Sequence, residues 1–174
     1  MKNILESILM PATILLLLLC LFPNRAIARD VPETHDDIRM HFKYGSIGAE
    51  GRAGIPYWIW RVLPDLFPEN LPDRPGRGYD RFGFIYESGV HQRPIGTSYR
   101  EKLIPLVGLN CAACHTGTVR ESPEAAPRII LGMPAHQFRL QEYIRFLTAC
   151  AKDNRFNAGT LLTAIRKVNP DFSW

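Results

Sequence analysis

Residues 45–134 hold 10 of the 14 prolines and 12 of the 13 glycines of this 174-residue chain. Proline removes a backbone donor and glycine raises the entropic cost of ordering, so regular elements in that stretch must be short. The middle of the chain therefore needs a source of core other than long helices. Overall composition is ordinary, 46% hydrophobic and 22% charged, which at this length suits one globular domain rather than two.

The two ends differ from the middle. Lys2 precedes a 15-residue apolar run, Ile8 to Phe22, and the small-residue pattern Ala26-Ile27-Ala28 follows. That order predicts a secretory signal peptide over residues 1–28, with 29–174 as the mature domain. The run contains Pro11 and is short for a membrane span. Because Glu6 offsets Lys2, an uncleaved anchor is the alternative, and Cys20 counts as one more apolar residue of the run. The expected location is periplasmic, membrane-attached only if that segment is retained. Without residues 1–28 the formal charge falls from +4 to +3, too mild to argue for nucleic acid.

Toward the other end, Phe138, Tyr143, Ile144 and Leu147 recur at helical spacing from Ala135 onward. Leu161, Leu162, Ile165 and Val168 do so over residues 158–168. Pro170 stops the pattern, and Phe172 and Trp174 after it favour a continuation beyond Trp174. Near residue 34, Thr34, Asp36 and Asp37 predict a capped helix start, with Ile38, His41 and Phe42 on one face and Gly45 at its end. "IPYWIWRVLP" (55–64) reads as one or two helical turns between Pro56 and Pro64, with Trp58 and Trp60 in the core or beside a large flat group. "RFGFIYESGV" (81–90) alternates Phe82, Phe84 and Tyr86 before a Ser-Gly pair, the pattern of a strand entering a hairpin.

The chemistry concentrates in "LNCAACHTG", residues 109–117. Beyond the signal, three cysteines remain: Cys111, Cys114 and Cys150. Cys150 lies in a helical pattern, as a buried inert thiol or, alternatively, the donor of an intermolecular disulfide. Cys111-x-x-Cys114-His115 suits three chemistries. A structural zinc wants four ligands, usually two separated pairs, and no second pair exists here. A redox-active dithiol wants a βαβ setting, which the flanking sequence lacks. Haem attachment uses all three residues: the two thiols add across the porphyrin vinyl groups, and His115 is carried to the iron. One covalent haem c is the favoured cofactor, and it would supply the core that the proline- and glycine-rich middle lacks.

At these residues the chain resembles a c-type cytochrome. "PIGTSYREKLIPLVGLNCAACHTGTVR" and "AAPRIILGMPAHQF" are similar to dihaem cytochrome c peroxidases and the related rubber-oxygenase-like cytochromes, over about residues 40–170. The resemblance implies a mainly α, cytochrome c-like fold with long irregular loops, to which the 81–90 pattern adds one short β-hairpin. It also implies one-electron transfer to a redox partner protein. The competing implication is the N-terminal haem domain of a peroxidase- or oxygenase-like enzyme. This chain departs from the dihaem group in having one Cys-x-x-Cys-His, so two-haem chemistry is incomplete within it.

The ligand on the second face of the iron separates carrier from enzyme. Met133, in a Gly-Met-Pro turn, is the leading candidate, with an open face the nearest competitor and His136 after it. Met40, His35, His41 and His91 follow, His35 and His41 being expected in solvent. Arg120 and Arg128 are candidate partners for haem propionates, against the simpler reading of surface arginines.

Overall fold

A computed structural model describes residues 30–87 and 92–173. The signal-peptide segment, Cys20, His91 and Trp174 lie outside the described residues. The architecture is a mixture of helices and two antiparallel sheets, which corrects the mainly α expectation. The first sheet orders four strands as β1 (Val31–Pro32), β3 (Thr97–Glu101), β4 (Leu106–Leu109) and β2 (Ile55–Pro56). The second pairs β5 (Thr116–Val119) with β6 (Arg128–Leu131). Every one of these strands has five residues or fewer. A strand that short displays little period-two alternation, and its partner strands come from distant sequence.

Among the described residues of the expected 81–90 hairpin, 81–87, no strand is formed, and residues 88–90 lie outside the described residues. Gly78–Phe82 is a 3₁₀ turn, and residues 84–87 run without a strand partner. The alternating aromatics there mark burial instead, with Phe82 and Phe84 inside the core. The real hairpin joins β3 to β4, pairing Thr97 with Leu109 and Arg100 with Leu106. Pro105 lies in its connection, and the Pro105 carbonyl accepts from Tyr57 N–H at 2.8 Å.

Helix α1 (Ile38–Tyr44) starts at Asp37, whose carboxylate accepts from Arg39 N–H at 2.7 Å and Met40 N–H at 3.0 Å. Helix α2 (Ala49–Ala53) carries Glu50, fully buried between Ser46, Ser98 and Arg100. Helix α3 (Tyr57–Leu66) runs through Pro64 rather than stopping there. A proline inside a helix strands the carbonyl four residues back. Here that is Trp60, and the Tyr79 hydroxyl donates to its oxygen at 2.6 Å, so the helix continues with its acceptor satisfied.

The core forms around that repair. Trp60 stacks on Tyr79 with ring centroids 4.2 Å apart and planes within 6°. Its indole N–H donates to the Tyr143 hydroxyl at 3.0 Å. Phe82, Phe84, Phe146 and Tyr57 complete the cluster. Both C-terminal helices form, α4 (Leu140–Lys152) and α5 (Ala158–Val168). Leu161 and Ile165 of α5 bury against Val62 on the second side of α3. Phe172 turns back and packs edge-on to Trp58. Helix α4 starts at Leu140, five residues after the expected Ala135, because the approach to it is hydrogen-bonded elsewhere. Ala135 N–H donates to the Cys114 carbonyl at 2.9 Å and Arg139 N–H to the Phe82 carbonyl at 2.8 Å.

Candidate haem-attachment site

Cys111–Ala113 form one 3₁₀ turn between β4 and β5. Asn110 opens it: its side-chain carbonyl accepts from Ala112 N–H at 3.0 Å, and its amide donates to the Gly45 carbonyl at 3.1 Å. The turn is thereby fastened to the end of α1. Behind it Gly96 sits at φ +91°, where an added Cβ would lie 2.4 Å from the Ala113 backbone. Ala112 is buried with Tyr44 and Ile95, and Met40, Phe42 and Ile129 pack around them. The rigid side of the turn faces inward, while Cys111, Cys114 and His115 are exposed. Neither motif cysteine is in a disulfide. Among the described residues no three His, Cys, Asp or Glu side chains converge to hold a bare metal ion.

The segment after β6 closes over β5. Gly132 N–H donates to the His115 carbonyl at 2.8 Å. A Cβ on Gly117 would stand 3.1 Å from the Met133 sulfur and 3.4 Å from His136 Nδ1. Met133 and His136 thus meet over Gly117, two residues beyond His115. Thr116, next to His115, is buried, and its hydroxyl has no hydrogen-bond partner among the described residues. Buried polar atoms are seldom left so, and a water or a bound group beside β5 would satisfy it.

Beside the motif an open groove of about 500 Å³ runs between α1 and β6, lined by Ile38, Arg39, Phe42, Ile129, Ile130 and Leu131, with Gly132 at its end. Ile38 is 78% exposed there, while Phe42 of the same expected α1 face packs against Ala112, so only the start of that face is left open. None of the three motif side chains lines the groove. The two are joined through Gly132 and through Phe42 and Ile129, which also pack at Ala112.

Other candidates lie elsewhere. His41 Nδ1 accepts from His35 N–H at 3.3 Å and the His35 ring pairs with Glu33 at 3.1 Å, so both are engaged rather than simply solvated. Arg120 donates to the Ala125 carbonyl of its own loop, and Arg128 stands exposed on β6. Trp60 belongs to the core and Trp58 is half-buried between Tyr57 and Phe172. Cys150 is fully buried, and burial pushes its thiol up to about 11, which keeps it protonated and unreactive near neutral pH.

Sequence reasoning missed Asn110 and Gly96, which hold the turn, and the β6 strand carrying Ile129–Leu131. The signals were present but faint: an Asn directly before the first cysteine, and "RIIL" bounded by Pro127 and Gly132. No family profile, curated protein or solved structure matches the chain.

Proposed function

We propose that this is an exported haem c protein that passes single electrons to and from a redox partner protein. One observation carries it: two free, exposed thiols and an exposed histidine project from a single turn whose other side is clamped, next to unfilled apolar surface. Cys111 and Cys114 would hold the haem as thioethers and His115 would ligate the iron. When bound, the group supplies a one-electron iron couple, and a small-ligand site where its second face stays open. The protein's own contribution is positional. Asn110 and Gly96 hold the turn, and Tyr44 and Ile95 back it through Ala112.

Met133 is the ligand for the second face in this electron-carrier reading. A specific observation favours the alternative, a peroxidase- or oxygenase-like haem domain with an open face. Met133 directly follows Gly132, which is bonded to the His115 carbonyl, so it starts from the His115 side. With Met133 held beside His115, a bound group left without a further protein ligand would admit small ligands.

The test is expression with haem-attachment machinery in an exporting host. Haem-linked peroxidase stain should persist in a denaturing gel and vanish in Cys111→Ser/Cys114→Ser; an unstained wild-type band would refute the proposal. Carbon monoxide added to the reduced protein separates the readings, since a spectral shift means an open or displaceable face. An unchanged spectrum in Met133→Ala removes that residue as the ligand.

A further inference from the structure

The groove between α1 and β6 meets β6 along its edge. Successive side chains of a strand point to opposite faces, yet Ile129, Ile130 and Leu131 line the groove consecutively. Only the margin of the strand touches all three. That margin is unpaired, because β5 is the sole strand partner of β6 among the described residues. The register also fixes which backbone groups point there. Gly132 N–H donates to the His115 carbonyl, so hydrogen-bonded pairs alternate from that point through Gly117/Ile130 and Val119/Arg128. Ile129 and Leu131 fall between them, and their N–H and C=O groups point away from β5. No hydrogen bond among the described residues uses those groups. An unpaired strand edge is a template for another extended segment, and native edges are commonly blunted with charge. This one opens instead into an apolar wall completed by Ile38 and Phe42 of α1. The one charged residue in the lining is Arg39, which makes no salt bridge among the described residues. Nearby Asp37 feels its charge, but that carboxylate caps α1 through the Arg39 and Met40 N–H groups.

We propose that this groove binds an extended, apolar segment of a partner protein as a third strand beside β6, with an acidic side chain of that segment on Arg39. The outward N–H and C=O groups of Ile129 and Leu131 supply affinity, Ile38 and Phe42 receive alternate side chains, and Arg39 selects the charge. A cavity of about 500 Å³ holds a few residues of extended chain rather than a folded surface. A second copy of this chain is the poorer occupant. Pairing β6 with β6 of a second copy would add that copy's Arg39 and Arg128 to an edge already bordered by both, with no carboxylate in the lining to offset them. None of Cys111, Cys114 and His115 lines this surface, so segment binding and haem attachment are independent.

The experiment is selection from a displayed library of random peptides about ten residues long, enough for one strand. The bait is protein purified from the exporting host and, in parallel, Cys111→Ser/Cys114→Ser. Recovered peptides should alternate apolar residues and carry Asp or Glu. Leu131→Pro removes an outward N–H without breaking a β5–β6 bond, so it should bind them roughly tenfold more weakly than Leu131→Ala. Arg39→Glu should weaken binding roughly tenfold, and exchanging the peptide's acid for Lys should restore binding to that variant. Leu103→Glu, 84% exposed on the β3–β4 connection, should bind as wild type does. Thermal midpoints report whether each variant is folded, and Arg39→Glu, at an exposed position, decides the matter if Leu131→Pro is not. Failure to enrich any peptide overturns the proposal, as do peptides that bind folded Leu131→Pro and Arg39→Glu as tightly as wild type. Self-association abolished by Leu131→Pro, without peptide binding, assigns the edge to a second copy and equally overturns it. Each of these results leaves the haem reading to the haem stain.

Discussion

Two residues decide whether the site and the core can form at all. Gly96 combines a positive φ with a backbone approach that no side chain fits, so Gly96→Ala strains the turn carrying both motif cysteines. Such strain costs about 1–3 kcal/mol. The expected outcome is a lower denaturation midpoint together with less covalent haem per protein, read by chemical unfolding and haem stain. The Tyr79 hydroxyl has a comparable role in the core, as the donor to the carbonyl stranded by Pro64. Tyr79→Phe keeps the Trp60 stack but orphans a buried acceptor, a loss of about 1–3 kcal/mol measurable by urea denaturation. Pro64→Ala in the Tyr79→Phe background should recover part of it, because residue 64 then donates to Trp60 itself. The Cys111-x-x-Cys114-His115 spacing is visible in the sequence itself. The roles of Gly96 and Tyr79 are not, because each acts on a residue 17 or more positions away.

Among the elements, α2 is the one held by charge. Burial alone would raise the Glu50 carboxyl, but hydrogen bonds from Ser46 and Ser98 and the charge of Arg100 outweigh it, leaving it below the ordinary value of 4.5. A carboxyl held below its unfolded value contributes stability that is complete above that value and is lost as pH falls through the folded one. Thermal midpoints should therefore decline as pH drops below about 4.5, and the decline should flatten in Glu50→Gln. A Glu50→Gln profile as steep as wild type would mean other carboxyls govern the acid limb. Helix α1 was legible from its cap and α5 from its apolar period; in the fold the Asp37 carboxylate and the Asn157 side-chain carbonyl accept from first-turn backbone N–H groups. The sheets were hidden for a different reason. Their pairings join residue 31 to 101 and 55 to 107, and no local period announces such partners.

For the whole molecule, Ile38 at the start of α1 remains exposed, whereas α3 is packed on both sides. Under the proposed function, covering exposed apolar surface stabilises the fold. Burying one exposed Ile side chain alone is worth about 1.5–3 kcal/mol. Haem-loaded wild type should thus melt several degrees above the unloaded Cys111→Ser/Cys114→Ser variant, compared by calorimetry. Equal melting temperatures would show that the bound group buries no such surface. No helix among the described residues is long and apolar enough to cross a membrane.

By itself the sequence determined the Cys-x-x-Cys-His spacing, the capped start of α1, the two C-terminal helices and the shortness of the strands between. These depend on neighbours within a few positions, through side-chain caps, apolar period, or a fixed two-residue spacer. Only the tertiary structure decided that the middle is sheet rather than loop, that Pro64 is spanned rather than obeyed, and that a groove bordered by Arg39 opens beside the motif. Those outcomes arise where segments dozens of residues apart meet, and the free energy of such meetings comes from burial and hydrogen bonding that no local stretch of chain carries.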